Sequence, residues 1–400
     1  MAGGVVTPAD PPGPTPGVTP FRVSVPDEVL ADLRGRLERA RLPGSVAGAG
    51  WDYGTEPGLL TRLVEHWRDG FDWRAAEAAL NELPQFTAPV HGSPLHFVHV
   101  KGRGPNPLPL LFSHGWPGSF WEVHKIIGPL TDPAAHGGDP ADAFDVVAPS
   151  LPGYGFSADP GIPGVHPGAI ADRFATLMTD VLGYSRFGTQ GGDWGSIVTS
   201  RLAHAYPERV VGLHLNMAGA RPNTGPGSRP LTEPEREFVA RMQRWRLEEG
   251  GYGAIQGSKP QTLSYALTDS PVGLAGWIVE KFRAWSDCGG DVTSVFTLDE
   301  LLTNITVYWV SGCIGSSMRL YFEAVRDRWQ LAVGERIETP TGFAHFPAEI
   351  SQPPREWVER SYNVRHWTDF PSGGHFAALE QPVALVSDVR EFFRPLRNPH

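Results

Sequence analysis

Lysine is almost missing from this sequence. Lys101, Lys125, Lys259 and Lys281 are all it has in 400 residues, the other basic side chains being arginine, and acidic residues outnumber basic ones 44 to 34 for a formal net charge of −10. No basic run or stripe forms, which excludes the charge footprint of a nucleic-acid binder. Cysteine is scarcer: Cys288 and Cys313 are too few for a disulfide framework or a metal knuckle, and read as small buried hydrophobes in a reducing, cytoplasmic setting. Apolar runs of about 18 residues, the length that spans a bilayer, are absent too. The start, MAGGVVTPADPPGPTPGVTP, has neither a basic n-region nor a long apolar h-region. It is expected to be a disordered, Pro-rich tail over 1–20, leading into a soluble chain with no membrane anchor.

What the sequence does have is a change of rhythm. VPDEVLADLRGRLERARLP offers Asp27 as an N-cap ahead of Val29, Leu30, Leu33 and Leu37 at helical spacing, and GLLTRLVEHWRDGFDWRAAEAALNEL continues the pattern. Residues 21–90 are therefore expected to be helical and without strands. From about Phe86, short apolar runs ending in Gly, Pro or Ser alternate with helical patterns: HFVHV, LPLLFSHGWPGS, FDVVAPSLPGYGFS, RFGTQGGDWGS and ERVVGLHLNM. That alternation predicts a mostly parallel sheet covered on both faces, its first part over 91–217. After Met217 a loop, ARPNTGPGSRP, opens a long helical stretch, expected as an inserted lid over 218–335. Strand-like ERIETPTGFAHF and SYNVRHWTDF and a closing helix then complete the sheet domain over 336–400.

The chemistry gathers where runs end. Gly191-Gly192-Asp193-Trp194-Gly195 fits the Gly-x-nucleophile-x-Gly elbow, with aspartate where serine is usual. Glycines suit so tight a turn, which lifts the central side chain to the C-terminal edge of the sheet. An acid and a histidine follow in the order of that fold: Glu349 in FPAEI, and His375 in SGGHFAALEQP, whose Gly373 and Gly374 would let the histidine backbone approach the elbow. SHGWPGSFW, after LPLLF, matches a loop that supplies one oxyanion amide, from Trp116; Trp194, after the nucleophile, supplies the second. Losing one such donor costs about 10²- to 10³-fold.

A carboxylate needs no base to activate it and attacks an sp³ carbon bearing a leaving group. The resulting alkyl ester of Asp193 is then hydrolysed by water that His375, oriented by Glu349, deprotonates. Epoxides or haloalkanes are the implied substrates, with water as the second reactant and no cofactor. A halide wants indole or amide N–H donors, whereas an epoxide oxygen must receive a proton, for which neutral phenols serve. The lid holds Tyr252, Tyr265, Tyr308 and Tyr321. No metal is expected: His96 and His99, three apart in a strand-like run, would face opposite sides of the sheet.

These residues together resemble the microsomal-type epoxide hydrolases, a family of α/β-hydrolases. FRVSVPDEVLADLRGRLERARLP, WDYG, FDWR and LNELPQF are similar to its N-terminal region, and HGWPGS, PGYGFS, QGGDWGS, TDSPVGLAGWIVEKF, FPAEI and GGHFAALE to its core and lid. The resemblance implies an α/β-hydrolase fold with an inserted helical lid and a helical N-terminal extension wrapped around both. It implies Asp193 as nucleophile, His375 as base, Glu349 as orienting acid, and Tyr252 and Tyr321 as the ring-opening phenols, leaving Tyr265 and Tyr308 structural. Unlike membrane-bound animal members, the chain is similar to soluble bacterial ones.

The expected function is conversion of an apolar epoxide, an aryl one among the candidates, to a vicinal diol. Aromatics including Trp116, Trp194, Trp245, Trp277 and Trp309 suggest that polarity. A haloalkane dehalogenase is the nearest alternative, since Trp194 beside Asp193 also suits a halide. A non-catalytic ligand-binding protein on the same fold is the second. A homodimer and a monomer are both left open.

Overall fold

Strands from the whole length of the chain meet in one sheet in the computed structural model, which describes residues 17–397 apart from residue 328. They are β1 (Thr19–Phe21), β2 (Gln85–Val90), β3 (Ser93–Val100), β4 (Leu108–Ser113), β5 (Phe144–Pro149), β6 (Phe187–Gly191), β7 (Val210–Leu215), β8 (Ile337–His345) and β9 (Tyr362–Asp369). Their order across the sheet is β1-β2-β3-β5-β4-β6-β7-β8-β9. From β5 to β9 every pairing is parallel, and β1, β2 and β3 join at one side antiparallel. FDVVAP and FGTQG are buried along their whole length, as strands covered on both faces must be.

Helices α1 (Asp27–Glu38), α2 (Pro57–Asp69) and α3 (Trp73–Leu80) precede β2. Within the sheet domain follow α4 (Ile127–Thr131), α5 (Pro167–Thr176) and α6 (Asp193–Ala205). Between β7 and β8 come α7 (Glu233–Glu248), α8 (Gly251–Ser258), α9 (Pro260–Asp269), α10 (Pro271–Trp285), α11 (Leu298–Ser311) and α12 (Ile314–Arg326). The chain closes with α13 (Arg355–Val358), α14 (Ala377–Glu380) and α15 (Pro382–Phe393). Alternation along the strands feeds two cores. Leu111 and Val147 join Phe174 and Leu202 of α5 and α6 on one face, while Leu110 and Val146 join Leu130 and Phe392 of α4 and α15 on the other.

The N-terminal region departs from expectation. Thr19–Phe21 is a strand, paired with Thr87–Gln85 of β2, and β2 itself lies inside the stretch read as strandless. Three residues are too few to show a period of two, so only the neighbouring edge reveals them. The rest of the expected tail, residues 1–16, lies outside the described residues. Asp27 is the first residue of α1, and its cap is Pro26, which has no side-chain bond to give.

Side chains from this region fasten the helices between β7 and β8. Thr55 donates to the Gly276 carbonyl of α10 at 2.7 Å, His66 lies 2.6 Å from Asp299 of α11, and Arg36 reaches the Asp269 carbonyl at the end of α9 at 2.7 Å. The α11 terminus is set locally by TLDE, a capping box in which Thr297 and Glu300 satisfy each other's amides. Among the described residues, no helix is long and apolar enough to cross a membrane.

Candidate active site

Four loops at the C-terminal ends of parallel strands converge. Register levels two of them, since Ser113, the last residue of β4, pairs with Gly191, the last of β6. After β6 the chain turns at once into α6, and Asp193 takes φ +46°, a conformation rare for a residue with a side chain. A β-carbon on Gly191 would stand 2.5 Å from the Gly195 carbonyl, and one on Gly195 would overlap that of Ser113. Glycine at both positions is what lets the elbow fit against β4.

After β4, the Trp116 amide donates to Asp193 Oδ1 at 2.8 Å. Trp194 follows Asp193 in the first turn of α6, where helix amides lack intrahelical partners. The Trp116 loop is held from above by α11: Asn304 donates to the Pro117 carbonyl and Tyr308 to that of Gly118, each at 2.8 Å. Tyr308 is thus structural, as expected, yet it supports the site. Tyr265 is 71% exposed and plays no part.

After β8 and β9 come Glu349 and His375. Buried His375 sets Nδ1 2.7 Å from Glu349 Oε1, and its Nε2 lies 3.4 Å from Asp193 Oδ2. A proton on Nδ1 directed at Glu349 leaves Nε2 facing Asp193. Burial works against charge on this imidazole, but the Glu349 and Asp193 carboxylates outweigh it and hold its pKa well above the usual value. The two glycines before His375 serve another approach than the expected one. Gly374 abuts the end of α10, where a β-carbon would stand 2.7 Å from the Trp285 carbonyl, and the His375 amide donates to that same carbonyl at 2.9 Å.

Over Asp193 stands an aromatic cage. Tyr252 of α8 stacks on Trp116 with centroids 5.3 Å apart, Tyr321 of α12 meets Trp194 edge-on at 4.6 Å, and the two tyrosine rings are 5.8 Å apart. Burial first, then the nearby Asp193 charge for Tyr252, raises both phenol pKa values, so both remain proton donors at neutral pH. Trp285, not singled out in the sequence, closes the cage 5.2 Å from Tyr252. Trp277 instead donates to Gln256, and Trp309 faces Arg36, outside the cage.

Sequence inspection also missed Glu122. It lines the cavity that holds Asp193 and His375, and burial pushes its carboxyl up to about 8. Its signal was faint: one acid among apolar residues in FWEV. Of the two strand histidines, His96 bonds Ser150 and Gln85, and His99 bonds Tyr184.

Comparison with known proteins bears on this geometry. Residues 18–123 match the family model described as the epoxide hydrolase N terminus, and residues 109–264 the α/β hydrolase fold. Epoxide hydrolase 1 of Oryctolagus cuniculus is 39% identical over 405 residues, spanning 94% of this chain and 88% of that protein. Among solved structures, the juvenile hormone epoxide hydrolase of Bombyx mori superposes with a TM-score of 0.85 at 28% identity, covering 95% of each chain. The Aspergillus niger epoxide hydrolase gives a TM-score of 0.83 at 30% identity, covering 96% of this chain and 97% of that one.

Proposed function

The chain belongs to the epoxide hydrolase family, and from that premise we propose that it converts an apolar epoxide to a vicinal diol in two half-reactions centred on Asp193. The observation that carries this is the pair of protonated phenols, Tyr252 and Tyr321, packed on the two tryptophans that flank the nucleophile. An Asp193 oxygen attacks a ring carbon, the carbon–oxygen bond of the epoxide breaks, and a phenol protonates the departing oxygen. Asp193 is then an uncharged ester.

Loss of that charge removes one of the two carboxylates that keep His375 protonated. The imidazole gives up its proton, which returns to the phenolate left by ring opening, and becomes the base of the second half. It takes a proton from water, whose oxygen bonds to the Asp193 ester carbon. The oxyanion that forms is held by the Trp116 amide, already aimed at Oδ1, and by the Trp194 amide. Collapse breaks the bond to the alkyl oxygen, which takes the proton from His375 and leaves as the diol, and the carboxylic acid left behind gives its proton to His375, restoring the Asp193 carboxylate and the charged imidazole.

Apolar, aryl-bearing epoxides suit walls made of Trp116, Trp194, Trp285 and two tyrosines. The unpaired, buried Cys288 and Cys313 support a cytoplasmic location. A single turnover in ¹⁸O-labelled water, with enzyme in excess, tests the covalent route. The diol is expected to take its new oxygen from unlabelled Asp193, and label in that first diol would overturn it. Halide release from chloroalkanes without diol formation from epoxides would favour a dehalogenase instead.

A further inference from the structure

The second half-reaction needs a water within reach of both His375 and the Asp193 carboxyl carbon. Beside those two groups lies a cavity of about 20 Å³ whose walls include neither lid tyrosine. That is room for one water. Ser113 and Gln190 line it, 1% and 2% exposed, and Ser113 Oγ and Gln190 Oε1 are buried without a protein hydrogen-bond partner. Leaving such atoms unanswered is unfavourable, and a bound water answers several at once.

The remaining polar walls are Asn216, whose Oδ1 accepts from Gln190 Nε2 at 3.0 Å, and Glu122. Its carboxyl lies over Gly118, where a β-carbon would overlap it. Glu122 also lines a second cavity of about 10 Å³, together with His124, Phe282, Phe296, Glu300 and Asn304. Glu122 therefore borders both the nucleophile cavity and a second space toward α11.

We propose that Glu122 positions the hydrolytic water, holding it in the nucleophile cavity with Ser113 and Gln190 and admitting its replacement from the second cavity. This rests on the two-step function assigned above. Water gives its proton to His375 Nε2 and its oxygen to the Asp193 ester carbon, while Glu122 keeps its own proton throughout. A neutral carboxyl both donates and accepts, as a water relay requires. The charged groups facing Glu122 are Asp193 and His375 on one side, and on the other His124 and Glu300, the latter bonded to Lys125 at 2.6 Å. Ionisation of Glu122 places a negative charge near His375 that favours its protonated form. The base is then withdrawn, and hydrolysis of the ester slows.

The test compares Glu122→Gln and Glu122→Leu with wild type on an aryl epoxide such as styrene oxide, after thermal melts establish that each folds. Ester formation and decay are timed separately by rapid quench and intact-protein mass. Formation is expected at the wild-type rate in both variants. In Glu122→Leu, decay is expected to slow by about 10²-fold, within the range of proton-transfer assistance, so that the ester accumulates. Wild-type decay is expected to fall above pH 8, and Glu122→Gln, a neutral isostere, is expected to match wild type at pH 7 and to lack that fall. Wild-type decay in Glu122→Leu, or equal slowing of both steps that Gln does not rescue, would overturn the proposal. Absence of any ester in wild type would instead sink the covalent mechanism itself.

Discussion

In the proposed mechanism Asp193 carries two burdens, as the attacking atom and as one of the charges that raise the His375 pKa. Asp193→Asn removes both. Steady turnover is expected to vanish, and the imidazole, now beside a neutral amide as it would be beside an ester, is expected to titrate at lower pH than in wild type. NMR of the His375 ring checks this, and an unchanged midpoint would mean that Glu349 alone sets the proton. At Tyr252 the prediction is narrower. Tyr252→Phe keeps the ring stacked on Trp116 but removes a proton donor, so ester formation is expected to slow by about 10²-fold while ester decay is unaffected. Pre-steady-state kinetics separate the two, and a slowed decay would assign the phenol to the wrong half. Asp193 was legible because an elbow needs its glycines beside it in sequence. Glu122 was not, because a lone acid reads as solvated until α11 and the His375 loop arrive from far along the chain to bury it.

At the scale of elements, the oxyanion loop is shaped as much by a helix above it as by the strand before it. Asn304 and Tyr308, one turn apart on α11, take the Pro117 and Gly118 carbonyls. Asn304→Ala leaves a buried carbonyl unpaired, at about 1–3 kcal/mol of stability. It should also lower kcat, by less than the 10²-fold or so that follows from deleting an oxyanion donor outright, with KM little changed. Calorimetry and steady-state kinetics on one variant test both, and a change in KM alone would place Asn304 on the substrate side. The parallel strands, their loops and the helices between β7 and β8 were all visible as alternating periods. The strand β1 was hidden by its brevity. The partner of Gly373 and Gly374 was hidden because glycine advertises a close approach without saying to what.

Across the whole molecule, burial of acids makes stability depend on pH in a defined direction. Glu122 and Glu380, pushed up to about 8 and about 7 from an ordinary 4.5, hold protons in the fold that the unfolded chain sheds. Their contribution is complete below about pH 4.5 and is lost as pH climbs through 7 to 8. His375, also raised, runs the same way. Asp388 is opposite: although burial opposes its charge, bonds from His214 and His366 pull it down from 3.8, so its contribution is present above that value and is lost in acid. Melting temperature is expected to peak at mildly acidic pH and to fall toward pH 8. Glu122→Gln should flatten part of that fall, and parallel curves for the two proteins between pH 5 and 8 would refute the assignment.

The ties from Thr55, His66 and Arg36 to α9, α10 and α11 have a further consequence. Such ties are expected to limit how far these helices swing from the sheet, so that the range of epoxides accepted would follow the standing outline of the entrance; loss of the Thr55 tie in Thr55→Val is expected to widen that range.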